Sequence, residues 1–153
     1  EGFYLWLQHA PTDTGLPYWA YTKYQHLAEL PTANIGEQVA VGQVVALSGL
    51  TGTIGPAFGP NGYPHLHLSL FVAPDPKFIP ESSGDSTVPP KGSKISDPMQ
   101  IFLSASTNLS KVAELPEASK RVPVAVAGRD GRIRPAASRV VWPVYCSGKT
   151  RQE

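Results

Sequence analysis

The chain contains four histidines, and two of them, His65 and His67, form a His-x-His pair. From His65 to Val72 every even-numbered residue is aliphatic (Leu66, Leu68, Leu70, Val72), which is the period-two pattern of a strand with one buried face. That geometry places His65, His67, Ser69 and Phe71 on the opposite face. Two imidazoles on one side of a strand are within reach of a single metal ion or substrate. They can ligate zinc, take a proton from water or steady a developing oxyanion. The same spacing also suits the polar outer face of an edge strand, so the pair gains meaning only from its surroundings. A third histidine, His26, follows Tyr24-Gln25 near the end of a second strand-like run, and Ser69 can orient a ring on the His65/His67 face.

The elements that must position these side chains are short. Residues 3–9 are rich in aromatic and aliphatic side chains and read as a buried strand, followed by a loop at 11–17. Residues 18–27 read as a second strand. Residues 38–41 and 43–47 read as a third and fourth, with Gly42 marking a tight turn or bulge between them. A glycine-rich stretch, 49–62, leads into the histidine strand at 65–72. Residues 74–94 are polar and rich in Pro, Ser and Gly, and read as a long surface loop. The chain rejoins the domain at 95–103, with a helical turn after Asp97-Pro98. Beyond that, a short helix is expected in 109–118 and a hairpin in 122–133 around Gly128-Arg129-Asp130-Gly131.

With 153 residues, 41% of them hydrophobic, the chain has room for one domain with a core plus a tail. Its 16 Pro and 14 Gly, without a heptad pattern, point to an all-β fold of short strands and turns. No run approaches the roughly 18 to 20 apolar residues of a membrane span, so none is expected. Cys146 is the single cysteine, which excludes an internal disulfide and a cysteine zinc knuckle. The net charge of +1 is unevenly spread: residues 1–119 hold 5 Lys/Arg against 10 Asp/Glu, and residues 120–153 hold 8 against 2. This basic tail has no interleaved aromatics, so it reads as solvated charge, with no nucleic-acid partner expected. Oligomeric state is left open.

Taken in order, Tyr24-Gln25-His26-Leu27, Val41-Gly42-Gln43-Val44-Val45-Ala46-Leu47-Ser48-Gly49, Thr51-Gly52-Thr53 and Pro64-His65-Leu66-His67-Leu68 resemble the lysostaphin-like zinc peptidases that cut peptidoglycan peptides. The resemblance spans residues 2–72 and returns at Ser96-Asp97-Pro98, near half the chain. It implies an antiparallel β-sheet or sandwich of the duplicated hybrid motif type, with long loops and a weakly structured C-terminal tail. Residues 1–104 would be the peptidase domain, with 74–94 as an inserted surface loop and 105–153 as a basic extension. By the same resemblance His67 is a zinc ligand, His26 and His65 are the catalytic pair, Zn2+ is the cofactor and a peptidoglycan peptide is the partner. The location implied is periplasmic or extracellular.

The family takes two further zinc ligands from a His-x-x-x-Asp motif well upstream of the Tyr-x-His-Leu strand. His9-Ala10-Pro11-Thr12-Asp13 has that spacing, which makes His9 and Asp13 candidate extra ligands. Asp13 lies only 13 residues before His26, however, too close for the strands the family places between them. On that alignment the ligand pair belongs before Glu1, and the chain is an N-terminally truncated or degenerate relative. A degenerate relative would bind cell-wall material or regulate a hydrolase without cutting. Two other families share part of the pattern. Lipoyl and biotinyl carriers share the Val-x-x-Gly-x-x-Val run but need a tip lysine, and residues 50–53 offer none. Sugar-phosphotransferase IIA domains use two histidines, but the combination in this chain fits the peptidases better.

Overall fold

The aromatic and aliphatic run at the N-terminus forms β1 (Phe3–His9) in a computed structural model that describes residues 2–53, 62–76, 79–80, 87–89, 92–98, 114–121, 124–128, 130–136, 138 and 141–144. β1 pairs antiparallel with β2 (Trp19–Leu27), β2 with β3 (His67–Ala73), and β3 with β6 (Lys94–Ser96), giving a four-stranded sheet in the order β1-β2-β3-β6. The fold is all-β and antiparallel, as its turn-rich composition implies. Two short ladders accompany the sheet. In one, β4 (Ile79–Pro80) pairs with β5 (Thr87–Val88) within the stretch read as loop; in the other, β7 (Val126–Ala127) pairs with β8 (Ile133–Arg134).

Register assigns the faces. Opposite residues on neighbouring strands share a side, so Leu7, Thr22 and Leu70 form one row and His9, Ala20 and Val72 the next. On this side Ala20 and Leu70 are fully buried and pack with Leu16, flanked by Tyr18 and Val72, as the core. Burying one such leucine is worth about 1.5–3 kcal/mol. The other side carries the rows Tyr4–Gln25–His67, Trp6–Lys23–Ser69 and Gln8–Tyr21–Phe71. The third row is closed by residues 75 and 76: Tyr21 Oη donates to the Asp75 carbonyl at 2.8 Å, and Gln8 Nε2 donates to that of Pro76 at 2.7 Å.

Three expectations from sequence change. The loop at 11–17 contains α1 (Pro11–Thr14): Asp13 accepts the Ala10 N–H at 3.0 Å, and Gly15, at φ 72°, closes the turn by donating to the Pro11 carbonyl. The strand read at 65–72 begins at His67, because residue 65 bridges to Gly49 and only from His67 on does the chain pair with β2. The strands read at 38–41 and 43–47 do not form. Their valines have the right propensity, but among the described residues they enter no strand ladder, and an isolated two-stranded hairpin is marginal in water. Gly42 does sit in a turn, at φ 80°. Ile35 is 97% exposed, and Val41 and Val44 are 65% and 69% exposed.

The C-terminal hairpin is where sequence placed it: Gly128 donates to the Arg132 carbonyl at 2.9 Å. Arg134 forks onto Asp130, and its hydrogen bonds hold that carboxyl down at about 2. The hairpin lies close to the turn at Gly42, where a β-carbon would come within 3.4 Å of Ile133 Cδ1. Among the described residues helix is confined to α1 and α2 (Glu117–Lys120), and no helix is long and apolar enough to cross a membrane. Of the helix expected in 109–118, residues 109–113 fall outside the described residues, as do the turn beyond Pro98 and Cys146, and of 114–118 only Glu117 and Ala118 are α-helical, in α2.

Candidate functional site

β2 contains one residue more than β1 between the pairs Tyr4↔Gln25 and Phe3↔Leu27, and that residue is His26. It is a β-bulge in the left-handed region, φ 63°, where a side chain other than glycine's costs about 1–3 kcal/mol. The bulge takes His26 out of the period-two alternation and aims its ring at the end of the sheet. There the ring is 7% exposed, and its Nδ1 lies 2.9 Å from the Thr51 carbonyl.

Thr51 holds this end of the sheet together. Its hydroxyl donates to the Leu27 carbonyl at 2.6 Å and accepts the Phe3 N–H at 3.0 Å, so it ties β1 to β2 beside the bulge while its own carbonyl anchors His26. Gly49 links the other backbone. It donates to the His26 carbonyl at 2.7 Å and accepts the His65 N–H at 3.1 Å, so the main chains of the two histidines flank it. A β-carbon on Gly49 would sit 2.5 Å from Ala28 Cα, a clash with main chain that only glycine avoids.

These anchors bring three histidines together. The His26 ring centroid is 4.7 Å from that of His65 and 5.7 Å from that of His67. His65 places Nδ1 3.0 Å from the Tyr63 carbonyl, and the Tyr63 ring lies 4.7 Å from its own. A carbonyl oxygen only accepts, so Nδ1 carries the proton in both His26 and His65 and the basic lone pair of each neutral ring is on Nε2. Neutral, each ring is a proton acceptor. Protonated, each becomes a second donor, suited to a developing oxyanion.

His9 and Asp13 lie elsewhere. His9 pairs with Ala20, six residues along β1 from the Phe3 end, about 20 Å away, and its side chain is on the core face. Its Nε2 is 2.8 Å from Thr22 Oγ, and burial lowers its pKa against the opposing pull of Asp13. Asp13 caps α1. Neither reaches His26, His65 or His67. Catalytic zinc takes three protein ligands, and among the described residues no group of three or more His, Cys, Asp or Glu side chains is arranged to hold a metal ion. The described residues therefore do not by themselves fit a catalytic zinc.

Sequence reading passed over Thr51 and Gly49 as positioning residues. The available signal was a hydroxyl and a glycine inside the glycine-rich stretch that returns the chain to His65. It also passed over Lys23, the one Lys, Arg, Asp or Glu in β1, β2 and β3. None of the family models, curated proteins or solved structures compared with this chain matches it.

Proposed function

We propose that this chain carries the histidine half of a peptide-hydrolysing site of the lysostaphin-like kind, acting on peptidoglycan peptides. The observation that carries the reading is the convergence of His26, His65 and His67, with His26 held in a strained bulge. In this reading His67, the exposed member, would be the zinc ligand, and a catalytic zinc would need two further ligands beyond it. The chain's own residues supply a pair of imidazoles with fixed tautomers: one takes a proton from the attacking water while the other, once protonated, steadies the oxyanion of the tetrahedral intermediate.

The test joins this chain to its natural upstream sequence, adds zinc and follows release of peptide fragments from purified peptidoglycan. Release that His67→Ala abolishes is expected. Release unaffected by that substitution would end the assignment. A second reading, a metal-free relative that binds cell-wall peptide without cutting it, is favoured by the missing metal-holding group among the described residues. It predicts that peptidoglycan pulls the chain down equally well with zinc or with chelator, and it fails if the upstream sequence encodes the ligand pair.

A further inference from the structure

We infer that the side-chain amide of Gln25, buried beside His67 and without a hydrogen-bond partner of its own, grips the backbone of an extended peptide at the histidine cluster. The inference rests on that cluster being a peptide site and adds the residue that holds the peptide's main chain there.

Gln25 lies on β2 in the row Tyr4–Gln25–His67, directly opposite His67 and one residue before the bulge. Side chains opposed in this way have β-carbons about 4.5–5.5 Å apart. Gln25 is only 9% exposed, yet its amide makes no hydrogen bond to the protein among the described residues. The amide is not sealed in, because among those residues no side-chain nitrogen or oxygen cut off from solvent lacks a partner. Its polar atoms therefore meet solvent at the site face, beside His67.

Two other glutamines show the contrast. Gln8, exposed on the same face, donates to the Pro76 carbonyl at 2.7 Å, and Gln43, exposed in the turn at Gly42, accepts the Ala40 N–H at 2.9 Å. Water alone would satisfy either of those amides. Of the described glutamines, the one with least access to water is without a partner, the reverse of the rule that buried polar groups are hydrogen-bonded.

A peptide supplies what is missing. A primary amide carries an N–H donor and a carbonyl acceptor side by side in one plane. In an extended strand the N–H and C=O of one residue point to the same side, as in the hydrogen-bonded pairs of an antiparallel ladder. Gln25 matches such a residue with both groups at once: Nε2 donates to the peptide carbonyl, and Oε1 accepts the peptide N–H. A carboxylate would leave Oε1 unmatched and an ammonium would leave Nε2 unmatched, so the chemistry selects main-chain amide. Extended residues advance about 3.4 Å each, so the gripped residue lies within two residues of the bond at His67.

The experiment adds N-acetyl-alanyl-alanine N-methylamide to the chain and follows the Gln25 side-chain NH2 and histidine ring signals by NMR. The peptide should bind and slow the solvent exchange of the Gln25 amide protons. Gln25→Met keeps the size of the side chain and removes both polar atoms. It should weaken binding about tenfold, the worth of two net hydrogen bonds, without lowering the denaturant midpoint of the free chain. No binding, unchanged exchange of the Gln25 protons in the unaltered chain, or equal binding by Gln25→Met overturns the inference. A variant that is less stable or does not fold also overturns it, because the amide would then have a structural task. Peptide that shifts the histidine signals and leaves Gln25 untouched refutes this inference alone and leaves the peptide site standing. The peptide need not be cut, so loss of hydrolysis would count against the proposed function and leave this result standing.

Discussion

His9 and His26 sit at opposite ends of the same pair of strands, the first half-buried and the second buried, and the sheet treats them in opposite ways. His9 lies in an unbroken ladder opposite Ala20, on the core face, with its ring bonded to Thr22 Oγ. His26 is the extra residue of a bulge, in the left-handed region, with its ring turned out of the alternation toward two other histidines. Regular pairing satisfies an imidazole and leaves it as structure. A strained insertion, held by anchors from a distant segment, makes the same side chain a candidate for chemistry.

The contrast can be broken most forcefully at Gly49. Gly49→Ala forces a β-carbon to 2.5 Å from Ala28 Cα and should destabilise the chain by about 3 kcal/mol in denaturant unfolding, with loss of the His26–His65 contact by NMR and little change around His9. Thr51→Val removes two hydrogen bonds that tie β1 to β2 and should cost about 2 kcal/mol, measured in the same way.

Paired substitutions sharpen the comparison because they isolate backbone strain from the ring. At position 26, Gly should be more stable than Ala by about 1–2 kcal/mol, since φ 63° penalises a β-carbon. At position 9, in regular strand, the order should reverse, with Ala better than Gly by about 0.5–1 kcal/mol. The same order at both sites would mean that His26 is not strained.

How far these features could be read in advance varies with how local their causes are. The extent of β1 and the split of His67, Ser69 and Phe71 from Leu68, Leu70 and Val72 follow from composition and alternation within a few residues. α1 was hidden in a turn-rich stretch, although Pro11 at its first position and Gly15 just past its end are the usual boundary residues. Residues 38–47 have strand composition yet no strand, because a ladder needs a partner and propensity does not supply one. The bulge at His26 was invisible because it depends on the Thr51 carbonyl and on Gly49, both more than twenty residues further along the chain.

The smallest expected effect concerns acid. Burial lowers the pKa of His9 below its ordinary 6.5, so in the window between the two values the unfolded chain binds the proton and the folded chain does not. His9 therefore contributes stability above about pH 6.5, lost as pH falls through its folded value. His9→Gln should flatten that acid limb in denaturation series run from pH 7.5 to 5.

The claim on which the account turns is that His26 and His65 meet with Nδ1 protonated and Nε2 bearing the lone pair. Long-range 1H–15N NMR of the imidazole rings near pH 8, combined with ring-to-ring NOEs, reads both properties at once. The account predicts Nδ1–H tautomers for His26 and His65 and NOEs linking His26 to both His65 and His67. An Nε2–H tautomer at His26, or no NOE between His26 and either partner, would contradict it.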